Sequence, residues 1–167
     1  MKRFFLMGLG AMLALSCSSD DDSDTLSNAA IEGTWKLTKY ELPSSFDLNN
    51  DGTASNNLLT EVSCTANSSL VFNAGSTVNF NFSEIYIDLE PVAGTETYAY
   101  TTECDTFGNE AYPYTVSDNI VSIFGGELSL IRSGRKLIFT FPLRVPVREN
   151  GEITNEYFIA YAEFTKQ

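Results

Sequence analysis

The 167-residue sequence contains no histidine, one tryptophan, three cysteines, and ten basic residues against 22 acidic ones. Without histidine there is no Ser-His nucleophile pair and no imidazole ligand for zinc. A thiol nucleophile at Cys104 would lack its base as well. Carboxylates remain for proton chemistry, and Asp88 and Glu90, two apart on one strand face, are the available acid and base pair. On so negative a chain that spacing more commonly marks an exposed acidic face, and no enzymatic activity is expected.

The shortage of lysine and arginine gives a net charge of −12, and without the first sixteen residues 8 basic and 22 acidic side chains leave −14. A surface of that sign repels phosphate backbones, which excludes nucleic acid as a partner. Long apolar runs are missing too. The uncharged run after Lys2 and Arg3, from Phe4 to Ser16, has thirteen residues, too few to span a bilayer. What is abundant is aromatic and apolar residues, 13% and 43% of the chain, in short runs broken by Gly, Asn, Ser and Asp. That composition and length indicate one globular, all-β domain.

Residues 1–16 have the basic start and apolar middle of an export signal. The junction Leu13-Ala14-Leu15-Ser16-Cys17 resembles the bacterial lipobox, with Ala14 where leucine is usual. The resemblance implies that Cys17 is lipidated and becomes the mature N-terminus, a membrane anchor whose acyl chains exceed the two-chain requirement for stable attachment. The acidic tract 18–24 cannot pack and serves as a solvated linker, so residues 17–30 form a lipidated N-terminus and leash. Ser-Asp-rich runs in this place resemble the surface-export signal of Bacteroidota lipoproteins, which implies the outer face of the outer membrane. A plain periplasmic spacer is the alternative. Asp24-Thr25-Leu26 also resembles the glycosylation sequon of those bacteria.

The domain spans residues 31–167. Gly33 marks a sharp entry into a first strand in which Trp35, Leu37, Lys39 and Glu41 alternate, imperfectly, against Lys36, Thr38, Tyr40 and Leu42. Pro43 is expected to break it. Residues 55–62 carry Leu58, Leu59 and Val62 at helical spacing and read as a short amphipathic helix. Leu70 and Phe72, then Val78, Phe80 and Phe82, form a hairpin around Asn73-Ala74-Gly75-Ser76, and 85–89 and 97–103 continue the alternation. Further strands are read at 112–116, 120–124, 127–132, 136–141 and 153–165, a spacing that indicates a sandwich or barrel. Pro142 and Pro146 suggest a bend, bulge or edge between residues 141 and 148.

Asp47, Asn49, Asp51 and Thr53 present oxygens at alternate positions around Gly52, the first half of a calcium loop. Leu58 occupies the twelfth position, where a bidentate glutamate belongs, and Glu61 lies three residues too late. Weak calcium binding at most is expected, and no other cofactor. The competing reading is an Asx-rich turn capping the following helix. With Cys17 lipidated, Cys64 and Cys104 are expected to pair as a disulfide in an oxidising compartment.

Gly33-Thr34-Trp35 at the start of the first strand resembles the Gly-x-Trp opening of lipocalins, and more specifically the lipocalin-like domains of bacterial lipoproteins. The likeness continues through the Asp-rich loop, residues 56–61, the cysteine after them and residues 70–75, and beyond residue 77 it is strand pattern alone. It implies an antiparallel up-and-down barrel of about eight strands with a short helix after the first strand. It also implies that Trp35 closes one end beneath a late-strand arginine, for which Arg132 is the candidate. Two functions are then open: a lumen holding a small apolar ligand, or one filled by Phe72, Phe80 and Phe82 in a protein that binds a protein or glycan partner through its loops. A cavity of several hundred Å³ separates them.

Overall fold

The computed structural model describes residues 28–106 and 110–167; the segment read as a signal peptide, Cys17 and the acidic tract lie outside them. One turn of helix, α1 (Asn28–Ile31), leads into β1 (Gly33–Phe46). Gly33 makes that entry with a φ of +112°, a backbone conformation that side chains with a Cβ rarely adopt. After it come β2 (Ser55–Asn57), α2 (Leu58–Glu61), a 3-10 turn at Ser63–Thr65, β3 (Ser69–Asn73) and β4 (Thr77–Asn81). Strands β5 (Ser83–Pro91) and β6 (Tyr98–Thr106) follow, then β7 (Ala111–Ser117), β8 (Ile120–Ile123), β9 (Leu128–Ser133), β10 (Lys136–Glu149) and β11 (Glu152–Lys166).

The order β1-β3-β4-β7-β8-β9-β10-β11 closes when β11 pairs with β1, giving an all-β, antiparallel, up-and-down barrel of eight strands that is lipocalin-like. Closure removes the two outer edges that an open sheet would present, leaving edge only where neighbouring strands part. The hairpin around residues 73–76 pairs Ser69 with Asn81 through to Asn73 with Thr77, as the period-two pattern required. β5 and β6 form a separate two-stranded hairpin outside the closed sheet, although their alternation resembles that of the barrel strands.

The imperfect alternation of β1 has a structural cause. Its register against β11 shifts between Leu37 and Lys39, a bulge that adds a residue and moves the inward face from odd to even positions. Trp35 and Leu37 are buried before it, and Tyr40 and Leu42 after it. Pro43 does not end the strand as expected. It lies where the pairing of β1 with β2 shifts register between Glu41 and Phe46, so its missing N–H costs no ladder bond there.

Residues 55–57 are extended, not helical, and pair with β1. Asn57 is what divides them from α2, because its side-chain oxygen accepts the Leu59 N–H at 3.1 Å as an N-cap. Pro142 and Pro146 also stand within a continuous strand, opposite Ile159 and Asn155 of β11. They are tolerated because pairing of β10 with β9 ends at Ile138 opposite Ile131, leaving that side of β10 an edge.

The two ends of the barrel differ. At one, Ile31 and Trp35 are almost fully buried, and the Trp35 indole donates to the Ile31 carbonyl at 2.8 Å. Phe72 meets Trp35 edge to face and Tyr114 likewise, at 6.5 and 5.0 Å. At the other end Tyr40, Phe82, Phe139 and Phe141 form a ring cluster with centroids 5.0 to 6.0 Å apart.

Candidate ligand cavity

The β9 and β10 strands separate beyond Ile131 and Ile138, and a cavity of about 420 Å³ opens into the lumen at that end. Its wall is built from inward residues of several strands: Leu70, Phe80 and Leu130 deeper in the barrel, and Phe82, Phe139 and Phe141 higher up. Phe124, the first residue of the 3-10 turn Phe124–Gly126, and Leu128 just after that turn cover another side. The hairpin contributes Glu84, Ile85, Tyr86 and Ile87, and Arg144 and Tyr157 complete the mouth. The volume is in the range of small-molecule sites, and so is the balance of many apolar side chains with few polar ones.

The hairpin buries Ile85 and Ile87 in the core, Arg148 stacks on Tyr98 at 4.5 Å, and further contacts hold it against the barrel. The Arg144 guanidinium donates to the Ile87 carbonyl at 3.0 Å and to Asp88 Oδ1 at 2.7 Å, and to Asn155 Oδ1 at 2.9 Å on the neighbouring strand. The Asn50 amide donates to the Tyr100 carbonyl at 2.9 Å, and Phe46 meets the Tyr100 ring edge to face at 6.0 Å. Cys64 and Cys104 lie at disulfide distance with Cα atoms 6.5 Å apart, joining the turn after α2 to β6, as expected from the cysteine count. Asp88, one of the two carboxylates weighed for proton chemistry, is thus ion-paired with Arg144, and Glu90 is exposed.

Asp47, Asn49, Asp51 and Thr53 belong to the loop between β1 and β2, away from the cavity. The two carboxylate oxygens of Asp47 accept the Asp51 and Gly52 N–H groups, both at 3.0 Å. Asn49 Oδ1 accepts the Asp51 N–H at 2.9 Å, and Asp51 Oδ1 that of Thr53 at 2.8 Å. The Asn49 and Asp51 bonds, each reaching two residues on, are Asx turns, and with those of Asp47 they let side-chain oxygens satisfy the loop's own backbone. Glu61, too late in sequence to complete a calcium loop, has another place: it is buried and accepts the Leu48 N–H at 2.9 Å, bracing the loop from α2. Among the described residues no three His, Cys, Asp or Glu side chains converge as a metal site.

Arg132 is not the cation over Trp35. Its Nε donates to the Gly134 carbonyl at 3.0 Å, and the Lys166 ammonium sits 5.6 Å from the indole ring instead. Lys166 reaches there because it is opposite Trp35 in the β1 and β11 register, and it also donates to the Ala30 carbonyl at 2.9 Å.

Sequence reasoning missed Tyr40 as a lumen residue, because strict alternation from Trp35 places it on the outer face. Tyr40 lines the cavity, and burial raises the pKa of its hydroxyl well above the usual range, with the Glu84 carboxylate adding to the effect. Phe139 and Phe141 were legible as one face of a strand, though not as the wall of a cavity. In comparison with known proteins the chain matches no family model, no curated protein and no solved structure, so its description as lipocalin-like rests on barrel closure, strand order and the buried Trp35 end.

Proposed function

We propose that the protein is a lipid-anchored outer-membrane lipoprotein, facing the cell surface, whose barrel is a non-catalytic binding module for a small apolar ligand. The observation that carries the binding reading is the cavity of about 420 Å³ walled by Leu70, Phe80, Leu130 and the Phe82, Phe139 and Phe141 cluster. A lumen filled by side chains, which would have favoured a protein or glycan partner bound through the loops, would leave no such space.

The test is to fill the space. Leu130 is fully buried and faces the cavity, so Leu130→Trp directs an indole into it at a modest cost in stability, about 1–3 kcal/mol. Diphenylhexatriene, a hydrocarbon that fluoresces in apolar surroundings, is expected to bind the wild-type protein and to lose at least tenfold in affinity in the variant. Undiminished binding would place the probe elsewhere and remove the main support for a lumen ligand.

The anchoring reading rests on the basic and apolar residues 1–16 and the Ser16-Cys17 junction. Among the described residues no helix is long and apolar enough to cross a membrane. Cys17→Ala is therefore expected to move the protein out of the membrane fraction. Retention of the variant there would contradict lipidation as the anchor.

A further inference from the structure

Tyr40 is 1% exposed, yet its hydroxyl makes no hydrogen bond to any described residue. Among the described residues the Tyr114 hydroxyl is also without a partner and is sealed within the protein, whereas that of Tyr40 is not sealed in this way, and Tyr40 lines the cavity. Native proteins leave few buried polar groups unpaired, and those that face a cavity are places where a ligand or water completes the bond. The Tyr40 ring is fixed by Phe82 and Phe141, with centroids at 5.9 and 6.0 Å, so the hydroxyl is presented in one place. Burial keeps it protonated and therefore a donor.

The charges around the cavity argue about the ligand as well. Among the described residues Arg144 is the one cationic residue in its wall, and its guanidinium is committed to Asp88, Asn155 and the Ile87 carbonyl. Glu84 lines the same cavity and acts electrostatically on Tyr40. An anionic head placed beside Tyr40 would meet a carboxylate and, among the described residues, no free cation, in a protein of net charge −12.

Building on the proposed lumen ligand, we infer that the ligand carries one uncharged hydrogen-bond acceptor, a ketone, ester or alcohol oxygen, that receives the Tyr40 hydroxyl in an otherwise apolar site. Chains with an ionised carboxylate are discriminated against. Tyr40 is then the residue that sets ligand orientation, and the surrounding rings supply affinity without direction.

The experiment compares wild type with Tyr40→Phe, which keeps the ring and removes only the oxygen. Three probes are used: diphenylhexatriene, which has no hydrogen-bonding group, and dodecanone and dodecanoate, which displace it. The variant is expected to bind diphenylhexatriene within twofold of wild type and dodecanone about three- to tenfold more weakly, the worth of one neutral hydrogen bond. Wild type is expected to prefer dodecanone to dodecanoate. Equal weakening of diphenylhexatriene and dodecanone would make Tyr40 a packing residue, and unchanged dodecanone affinity would show that water satisfies the hydroxyl; either result overturns the inference and leaves the apolar site standing. Tighter binding of dodecanoate overturns the preference for an uncharged head. Failure of all three probes to bind wild type would instead defeat the lumen-ligand reading itself.

Discussion

Trp35→Ala is expected to destabilise the domain by about 3–5 kcal/mol and, at a slope near 2 kcal/mol per M, to lower its urea midpoint by roughly 2 M. The indole is fully buried at the start of β1, so its removal leaves a large cavity that the barrel, held by ladders on both sides of β1, can only partly close. Two further contacts are lost with it. The Ile31 carbonyl loses the indole N–H at 2.8 Å, which frees α1 from the barrel end, and the Lys166 ammonium loses the ring beneath it. Trp35→Phe separates these terms, since it keeps much of the volume but not the N–H, and a loss of about 1–2 kcal/mol is expected there. Equilibrium urea unfolding followed by far-ultraviolet circular dichroism measures both. An alanine variant with an unchanged midpoint would mean that Trp35 does not close this end and that α1 contributes its packing without it.

How much of this was legible in the sequence depended on whether neighbours in the chain were also neighbours in space. The hairpin of β3 and β4 was readable because its alternation, its turn at Gly75 and its pairing all lie within thirteen residues, Ser69 to Asn81. The barrel itself was readable in outline from strand spacing and from Trp35. The side of the lumen that Tyr40 faces was not, because one bulge residue between Leu37 and Lys39 reverses inside and outside for the rest of β1, and nothing local marks it. Pro43 misled in the same way, whereas the edge suggested by Pro142 and Pro146 is there. Whether a proline breaks a strand depends on which backbone groups its neighbours need, and that is set by β2 for Pro43 and by the departure of β9 for Pro142. The Lys166 position over Trp35 is likewise a fact of register between strands 131 residues apart, and a search for an arginine could not find it. Nor could sequence separate β5 and β6 from the barrel strands, since a hairpin packed over a lumen buries alternate residues as a barrel strand does.

That hairpin gives the second large effect. Replacing Cys64 and Cys104 together by alanine is expected to lower global stability by about 4 kcal/mol, the chain-entropy value for a loop of this length. The cross-link spans a sequence separation of 40, and the loop it closes contains β3, β4, β5 and most of β6. It therefore restrains, in the unfolded chain, two adjacent barrel strands as well as the hairpin, and its loss should lower the midpoint of the whole domain. A second consequence is local. Among the described residues β5 and β6 pair only with each other, so without the cross-link they are held to the barrel by buried Ile85 and Ile87 and by side-chain contacts of Arg144, of Arg148 with Tyr98 and of Tyr100 with Asn50 and Phe46, with no strand ladder. Hydrogen exchange should then quicken in β5 and β6 by more than the global loss accounts for, while β10 and β11, paired along fourteen residue positions, follow the global value alone. Uniform quickening would mean that the disulfide acts only through the unfolded chain. Quickening confined to the hairpin, with an unmoved midpoint, would mean that it serves only to hold β5 and β6 across the cavity mouth.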